Sequence, residues 1–199
     1  MNRCLLPYRF ALLLCALVAF SCRESEAPIE ETEYFLKFKA NGELVEYKVY
    51  EYQPVVFSYD PNGKTHNAQI QALAEGSDGT RDFFSIFLYS EMSFEEKTYQ
   101  MQEGVWAYEN SFLPGLIFTR SDPAGNLYNA SLLKSDYPTL DIRDDGSLNL
   151  TQIGSGWVKG AFEASLFGPF AENTSRGNTE IRITEGSFKM KLIQNPIQE

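Results

Sequence analysis

The feature that most limits what this chain can fold into is a series of short period-2 segments, each closed by a turn former. Leu36, Phe38 and Ala40 alternate with Lys37 and Lys39, and Asn41-Gly42 follows. That dipeptide tolerates positive φ at both centres of a type I′ hairpin turn. Val45, Tyr47 and Val49 then alternate with Glu46 and Lys48 on a return strand. A strand from Val55 to Tyr59 ends at Asp60-Pro61-Asn62-Gly63, and Ala68, Ile70, Ala72 and Ala74 alternate with polar neighbours beyond it. Phe83 to Tyr89 is apolar on both faces, which predicts a central strand covered on both sides.

The second half is written the same way. Tyr99 to Tyr108 reads as strand pieces broken at Glu103-Gly104, residues 109–115 as an irregular crossing, and Leu116 to Arg120 as a strand. A turn at 122–126 leads into Leu127 to Leu133. Asp144-Asp145-Gly146 turns into Ser147 to Ile153. Along 157–167, Val158, Gly160, Phe162, Ala164 and Leu166 form one face, taken as the core face, and Phe167 falls on the other. Gly168 to Asn178 reads as a polar loop, and Thr179–Thr184 and Ser187–Leu192 as a last pair around Glu185-Gly186. No window after residue 22 carries a helical stripe. About 10–12 short strands at roughly 8–12-residue spacing predict an all-β fold, an antiparallel β-sandwich or a partly open β-barrel.

The N-terminus is different in kind. Arg3 and Arg9 precede an unbroken apolar run of 11 residues, Phe10 to Phe20. That is too short for a membrane span of about 20 residues but fits the apolar stretch of a signal peptide. Ser21-Cys22 closes it, followed by Arg23-Glu24-Ser25-Glu26. A small residue directly before Cys at this point resembles a bacterial lipobox, with Ala19 where Leu is usual and the bulky Phe20 next to it. The resemblance implies a lipoprotein: cleavage before Cys22, acylation of that Cys with palmitate-like chains, and an outer-membrane anchor, with surface display suggested by the acidic stretch. The alternative is an ordinary secretory leader that leaves Cys22 a free thiol. Two or three acyl chains hold a membrane far more firmly than one. The expected organisation is a lipoprotein signal peptide over 1–21, an acidic flexible tether over 22–33 and a single β domain over 34–199.

Cleavage there would discard Cys4 and Cys15 and leave 178 of the 199 residues. Loss of Arg3 and Arg9 would move the formal net charge from −10 to −12. Such a chain repels phosphate backbones, so no nucleic-acid partner is expected. The single His, His66, reads as a solvent-exposed turn residue, no G-x-S-x-G nucleophile is in evidence, and acylation of Cys22 would leave no thiol nucleophile.

The last third also resembles a recurring pattern in uncharacterised Bacteroidota lipoproteins. It is carried by Leu148 to Ile153, by Val158-Lys-Gly-Ala-Phe-Glu-Ala164 and by Ile181-Arg-Ile-Thr-Glu-Gly-Ser-Phe188. Phe38-Lys39-Ala40-Asn41-Gly42 and Thr98-Tyr99-Gln100-Met101 resemble the same proteins nearer the N-terminus. The resemblance implies an all-β, envelope-anchored protein and no particular chemistry.

Three groups of residues are candidates for function. Asp141, Asp144 and Asp145 before Gly146 are spaced like part of a calcium loop, although Asp-Asp-Gly is first a turn former. Trp106, Tyr108 and Phe112 cluster near the irregular stretch, and exposed aromatic faces stack on sugars or anchor protein partners. Carboxylate pairs for glycoside hydrolysis are available among 27 acids, with none singled out. The expected role is non-catalytic binding of a ligand, glycan or protein partner, without a cofactor. A structural or assembly role and a carboxylate-dependent glycosidase are the alternatives.

Overall fold

The computed structural model describes residues 34–108, 111–171 and 175–194. The leader, Cys22 and the 22–33 tether lie outside them. Among the described residues the fold is all-β, with 13 strands and one short 3-10 turn at Lys134–Asp136. In chain order the strands are β1 Phe35–Ala40, β2 Glu43–Lys48, β3 Val55–Asp60, β4 Thr65–Leu73, β5 Phe83–Ser90, β6 Thr98–Gln100 and β7 Val105–Ala107. They continue as β8 Ser111–Leu113, β9 Leu116–Ser121, β10 Leu127–Ala130, β11 Asp145–Ile153, β12 Trp157–Phe170 and β13 Arg176–Gln194.

Eleven strands form one sheet in the order β2-β1-β13-β3-β4-β5-β9-β10-β12-β11-β6, and β12 also pairs with β13. The ladder therefore curls back on itself, while β2 and β6 remain open edges. β7 and β8 make a separate two-stranded hairpin. Pairing is antiparallel except where Leu192–Gln194 run parallel to Val55–Phe57, a contact that hairpin logic alone does not foresee. Asn41 and Gly42 both have positive φ, as the type I′ turn between β1 and β2 requires.

Period-2 patterning sorts the core as expected. Leu36 and Phe38 on β1, Tyr47 on β2, Ala68, Ile70 and Ala72 on β4, and Val158, Phe162, Ala164 and Leu166 on β12 are buried. β5 lies between β4 and β9, buries Phe84, Ile86 and Leu88, and half-covers its other face. At the centre Phe38, Phe84 and Phe162 pack ring on ring, at 4.6 Å for Phe38–Phe84 and 5.1 Å for Phe84–Phe162. Facing pairs of β12 and β13 match glycine to phenylalanine in both directions: Gly160 opposes Phe188, and Phe162 opposes Gly186. A Cβ at either glycine would come within 2.5 Å of the opposing ring. Each ring thus lies on the bare backbone of the strand beside it.

Several sequence expectations change. Glu185-Gly186 is not a turn. Glu185, at φ 53°, is an extra residue inside a continuous 19-residue strand, and both β1 and β12 shift register around it. Such a bulge steps the side-chain phase by one. It lets Ile181 and Ile183 on one side, and Phe188, Met190 and Leu192 on the other, all face the core. The expected loop over 168–178 shortens, because β12 runs to Phe170 and β13 starts at Arg176. β10 stops at Ala130, short of the expected Leu133, and the crossing at 109–115 holds β8. Phe167 does face away from the main core, but it is buried there beneath the guanidinium groups of Arg143 and Arg176, 4.7 and 5.7 Å from its ring.

Candidate functional site

The β7–β8 hairpin carries the aromatic candidates. Register pairs Trp106 with Phe112 across it, and their rings lie 5.0 Å apart. Ala107 between them points inward and is buried, so alternation turns Trp106 outward, 60% exposed. Gly104 is required beneath Phe112, because a Cβ there would lie inside its ring. Tyr108 follows at φ 55° and is also exposed. Its backbone N–H donates to the Gly63 carbonyl at 3.1 Å, which ties the hairpin to the β3–β4 turn.

Two carboxylates are bonded to this hairpin. The Tyr108 hydroxyl donates to Asp60 Oδ2 at 2.9 Å, and the Asn62 N–H donates to Asp60 Oδ1 at 2.9 Å. The Tyr108 bond holds the Asp60 carboxyl below the usual carboxylate range and pushes the Tyr108 phenol above its ordinary value. The Trp106 backbone N–H donates to Glu91 Oε1 at 3.2 Å, and Met92, the next residue, is largely exposed. The hairpin thus presents exposed aromatic rings and holds two carboxylates, Asp60 through Tyr108 and Glu91 through its backbone. Trp106 and Phe112 are brought together as the sequence suggests. Asp60 and Glu91 were not foreseen, because a turn acid and a loop acid 31 residues apart share no local pattern.

The aspartate candidates have different duties. Asp144 is fully buried. Its Oδ2 and Oδ1 accept from Arg176 Nη1 and Nη2 at 2.7 and 2.8 Å. Oδ2 also accepts from the N–H groups of Ser131 and Leu132. Gln102 completes the knot, donating to the carbonyls of Leu132 and Asp144 and accepting from the Lys134 N–H. Asp141 is exposed, 3.8 Å from Arg143, and Asp145 accepts from the Gly146 N–H. Among the described residues no three His, Cys, Asp or Glu side chains gather where they could hold a metal ion. Asp144 ties a loop to the start of β13.

No family model, curated protein or solved structure matches the chain. Its chemistry therefore has to be read from its own residues. A shallow open pocket of about 160 Å³ lies across β6, β11, β12 and β13. Gln100, Asp145, Ser147, Glu163, Ser165 and Arg182 line it. Register explains the gathering: Gln100 opposes Ser147, Ser147 opposes Glu163, Asp145 opposes Ser165, and Ser165 opposes Arg182. The pocket places two carboxylates in one depression, a pair the sequence could not single out.

His66 is not the free turn residue expected. It is half-buried on β4, its ring 4.9 Å from Tyr59 and 6.2 Å from Phe94. Phe94 also packs on Phe57 at 4.7 Å and on Tyr99 at 6.2 Å. The 91–97 connection thus presses an aromatic cluster onto one end of the core. The missing signal was Phe94, which comes from a different connection.

Proposed function

We propose that this is a lipid-anchored cell-envelope protein, as its resemblance to Bacteroidota lipoproteins implies, and that its own exposed aromatic residues bind a glycan without catalysis. The observation carrying the glycan reading is the outward Trp106 ring, backed by Phe112, on a hairpin whose Tyr108 hydroxyl is bonded to Asp60 and whose Trp106 backbone is bonded to Glu91. The C–H face of a sugar packs on an indole, while its hydroxyls need nearby acceptors. A Trp backed by another ring is also held in place before binding, which lowers the ordering cost.

A glycan array probed with the full chain tests this. Binding to a set of related glycans is expected, with Trp106→Ala lowering affinity at least about tenfold, the scale of a binding hot spot. Trp106 is exposed, so the thermal midpoint of that variant should stay close to wild type. Absence of glycan binding, or binding indifferent to Trp106→Ala, would remove the reading.

The pocket holding Asp145 and Glu163 favours a second reading, a carboxylate-dependent glycosidase. Hydrolysis of chromogenic glycosides that disappears in Glu163→Gln while Trp106→Ala retains it would put this reading first.

A further inference from the structure

The outer face of β12-β13-β1-β2 is built unlike the rest of this acidic chain. Lys159 on β12 directly opposes Lys189 on β13, Lys189 opposes Phe35 on β1, and Phe35 opposes Lys48 on β2. Lys37 lies two residues along β1 from Phe35, on the same face, and opposes Glu46 on β2 without closing an ion pair with it. Like charges placed directly across a ladder weaken it. Lys39 and Lys191 are paired with Glu185 and Glu51 at 2.7 and 3.0 Å. Lys37, Lys48, Lys159 and Lys189 have no ion-pair partner among the described residues.

Each of these four ammonium groups lies over an aromatic ring. Lys37 sits 5.2 Å from the centre of Phe35, Lys48 5.7 Å from Tyr50, and Lys159 and Lys189 5.1 and 6.0 Å from Trp157. The rings hold the charges in place across a row of four strands about 14 Å wide. Exposed apolar side chains sit around the row. Leu44, 66% exposed, opposes Lys39; Ile193 follows Lys191 on β13; and Tyr52, 77% exposed, stacks on Tyr50.

We propose that this face docks on an anionic membrane surface, its lysines on lipid phosphates and Leu44, Tyr52 and Ile193 entering the headgroup layer. Charge complementarity and the apolar rim both fit a lipid plane. The ring faces carry ammonium groups, so they are not open for stacking nucleic-acid bases. A plane touching only this face feels the local lysines, because charges beyond a Debye length of about 8 Å are screened. A soluble polyanion would also meet the net −10 of the whole chain. Chain connectivity agrees, a point that rests on the lipid-anchor reading. β1 begins at Phe35 within the lysine row, and the 12 residues 23–34 span at most about 40 Å from Cys22.

The test is amine-reactive labelling of the full chain, read residue by residue by mass spectrometry. It is done on phosphatidylglycerol–phosphatidylcholine vesicles and on phosphatidylcholine vesicles. Lys37, Lys48, Lys159 and Lys189 should label at least about fivefold more slowly on the anionic vesicles, with protection lost in about 0.5 M salt. The exposed Lys64 and Lys134, off this face, should label equally on both. Lys48→Glu with Lys189→Glu should lower partition onto anionic vesicles at least about tenfold. The thermal midpoint should hold, since Lys189→Glu puts opposite charges across from Lys159. Equal labelling of the four lysines on both vesicles overturns the proposal. So does retention on dextran sulfate beads without vesicle protection, which would assign the face to a soluble polyanion. The same comparison on Cys22→Ala separates the two claims. Protection that persists there, without palmitate labelling of wild type, leaves docking standing and the anchor reading lost. Palmitate labelling without protection does the reverse.

Discussion

A fully buried carboxylate survives only if its charge is matched, and Asp144 meets that condition with one guanidinium and two backbone N–H groups. Removing the charge leaves Arg176, itself mostly buried, without its counterpart. Asp144→Asn is therefore expected to cost about 3 kcal/mol, seen as a lower urea midpoint at unchanged slope. Gly186 poses a steric problem. A methyl there would meet both the ring and the carbonyl oxygen of Phe162 at 2.5 Å, so Gly186→Ala should cost about 1–3 kcal/mol in the same measurement. Tyr47 gives a pH signature. Burial, and next the Asp82 carboxylate that its hydroxyl reaches at 3.1 Å, push its phenol far above the ordinary tyrosine value near 10. The unfolded chain gives up that proton near pH 10 and the folded chain keeps it. Stability should therefore fall as pH rises above about 10, and thermal melts of Tyr47→Phe should show a shallower alkaline fall. The sequence grouped Asp144 with Asp141 and Asp145 in a calcium-like turn and could not name its partner. Arg176 lies 32 residues away in text that reads as loop, and only the fold brings them together.

Strands were readable wherever one face meets the core and the other meets water, because alternation records that difference directly. β1, β2, β4 and β12 have that pattern, and alternation picks their buried residues apart from Thr65 at the start of β4 and the end of β12 from Phe167 on. Reading failed where one residue type serves two geometries. Glycine after a residue at positive φ suits a reverse turn and a bulge equally well, so Glu185-Gly186 looked like a chain reversal. The distinguishing mark is the odd spacing from Ile183 to Phe188, both of which face the core. The spacing tells against the turn once β1 and β12 are known to run beside both halves. Deleting Glu185 should force every later side chain of β13 to the wrong face. The deletion variant is expected to fail to give a cooperative thermal transition, whereas Glu185→Gly should retain one. The hairpin platform was half legible. Trp106, Tyr108 and Phe112 stand close in sequence, but Asp60 and Glu91 arrive from other connections.

At the scale of the whole chain, net charge is blind to how the charges are distributed. A formal −10 argues against polyanionic partners, yet it coexists with a face where four lysines lie unpaired among the described residues. Averages hide such a face, because strand register gathers residues that are scattered along the sequence. The anchor is tested at this scale as well. Labelled palmitate is expected to enter the wild-type chain and not Cys22→Ala, with fluorography as the readout, and equal incorporation would refute it.

The 19-residue β13 also bears on the order in which a growing chain can become a fold. It is the neighbour that β1, β3 and β12 share, and it is the last described strand to be made. β1 meets it across about 150 residues of intervening sequence, a separation that slows folding. Until β13 arrives, the β1–β2 hairpin and the β3–β4–β5 segment have no strand joining them, and their edges stand open to wrong partners. A chain delivered from its N-terminus would thus need protection until β13 is made, and this last described strand would act as the clasp.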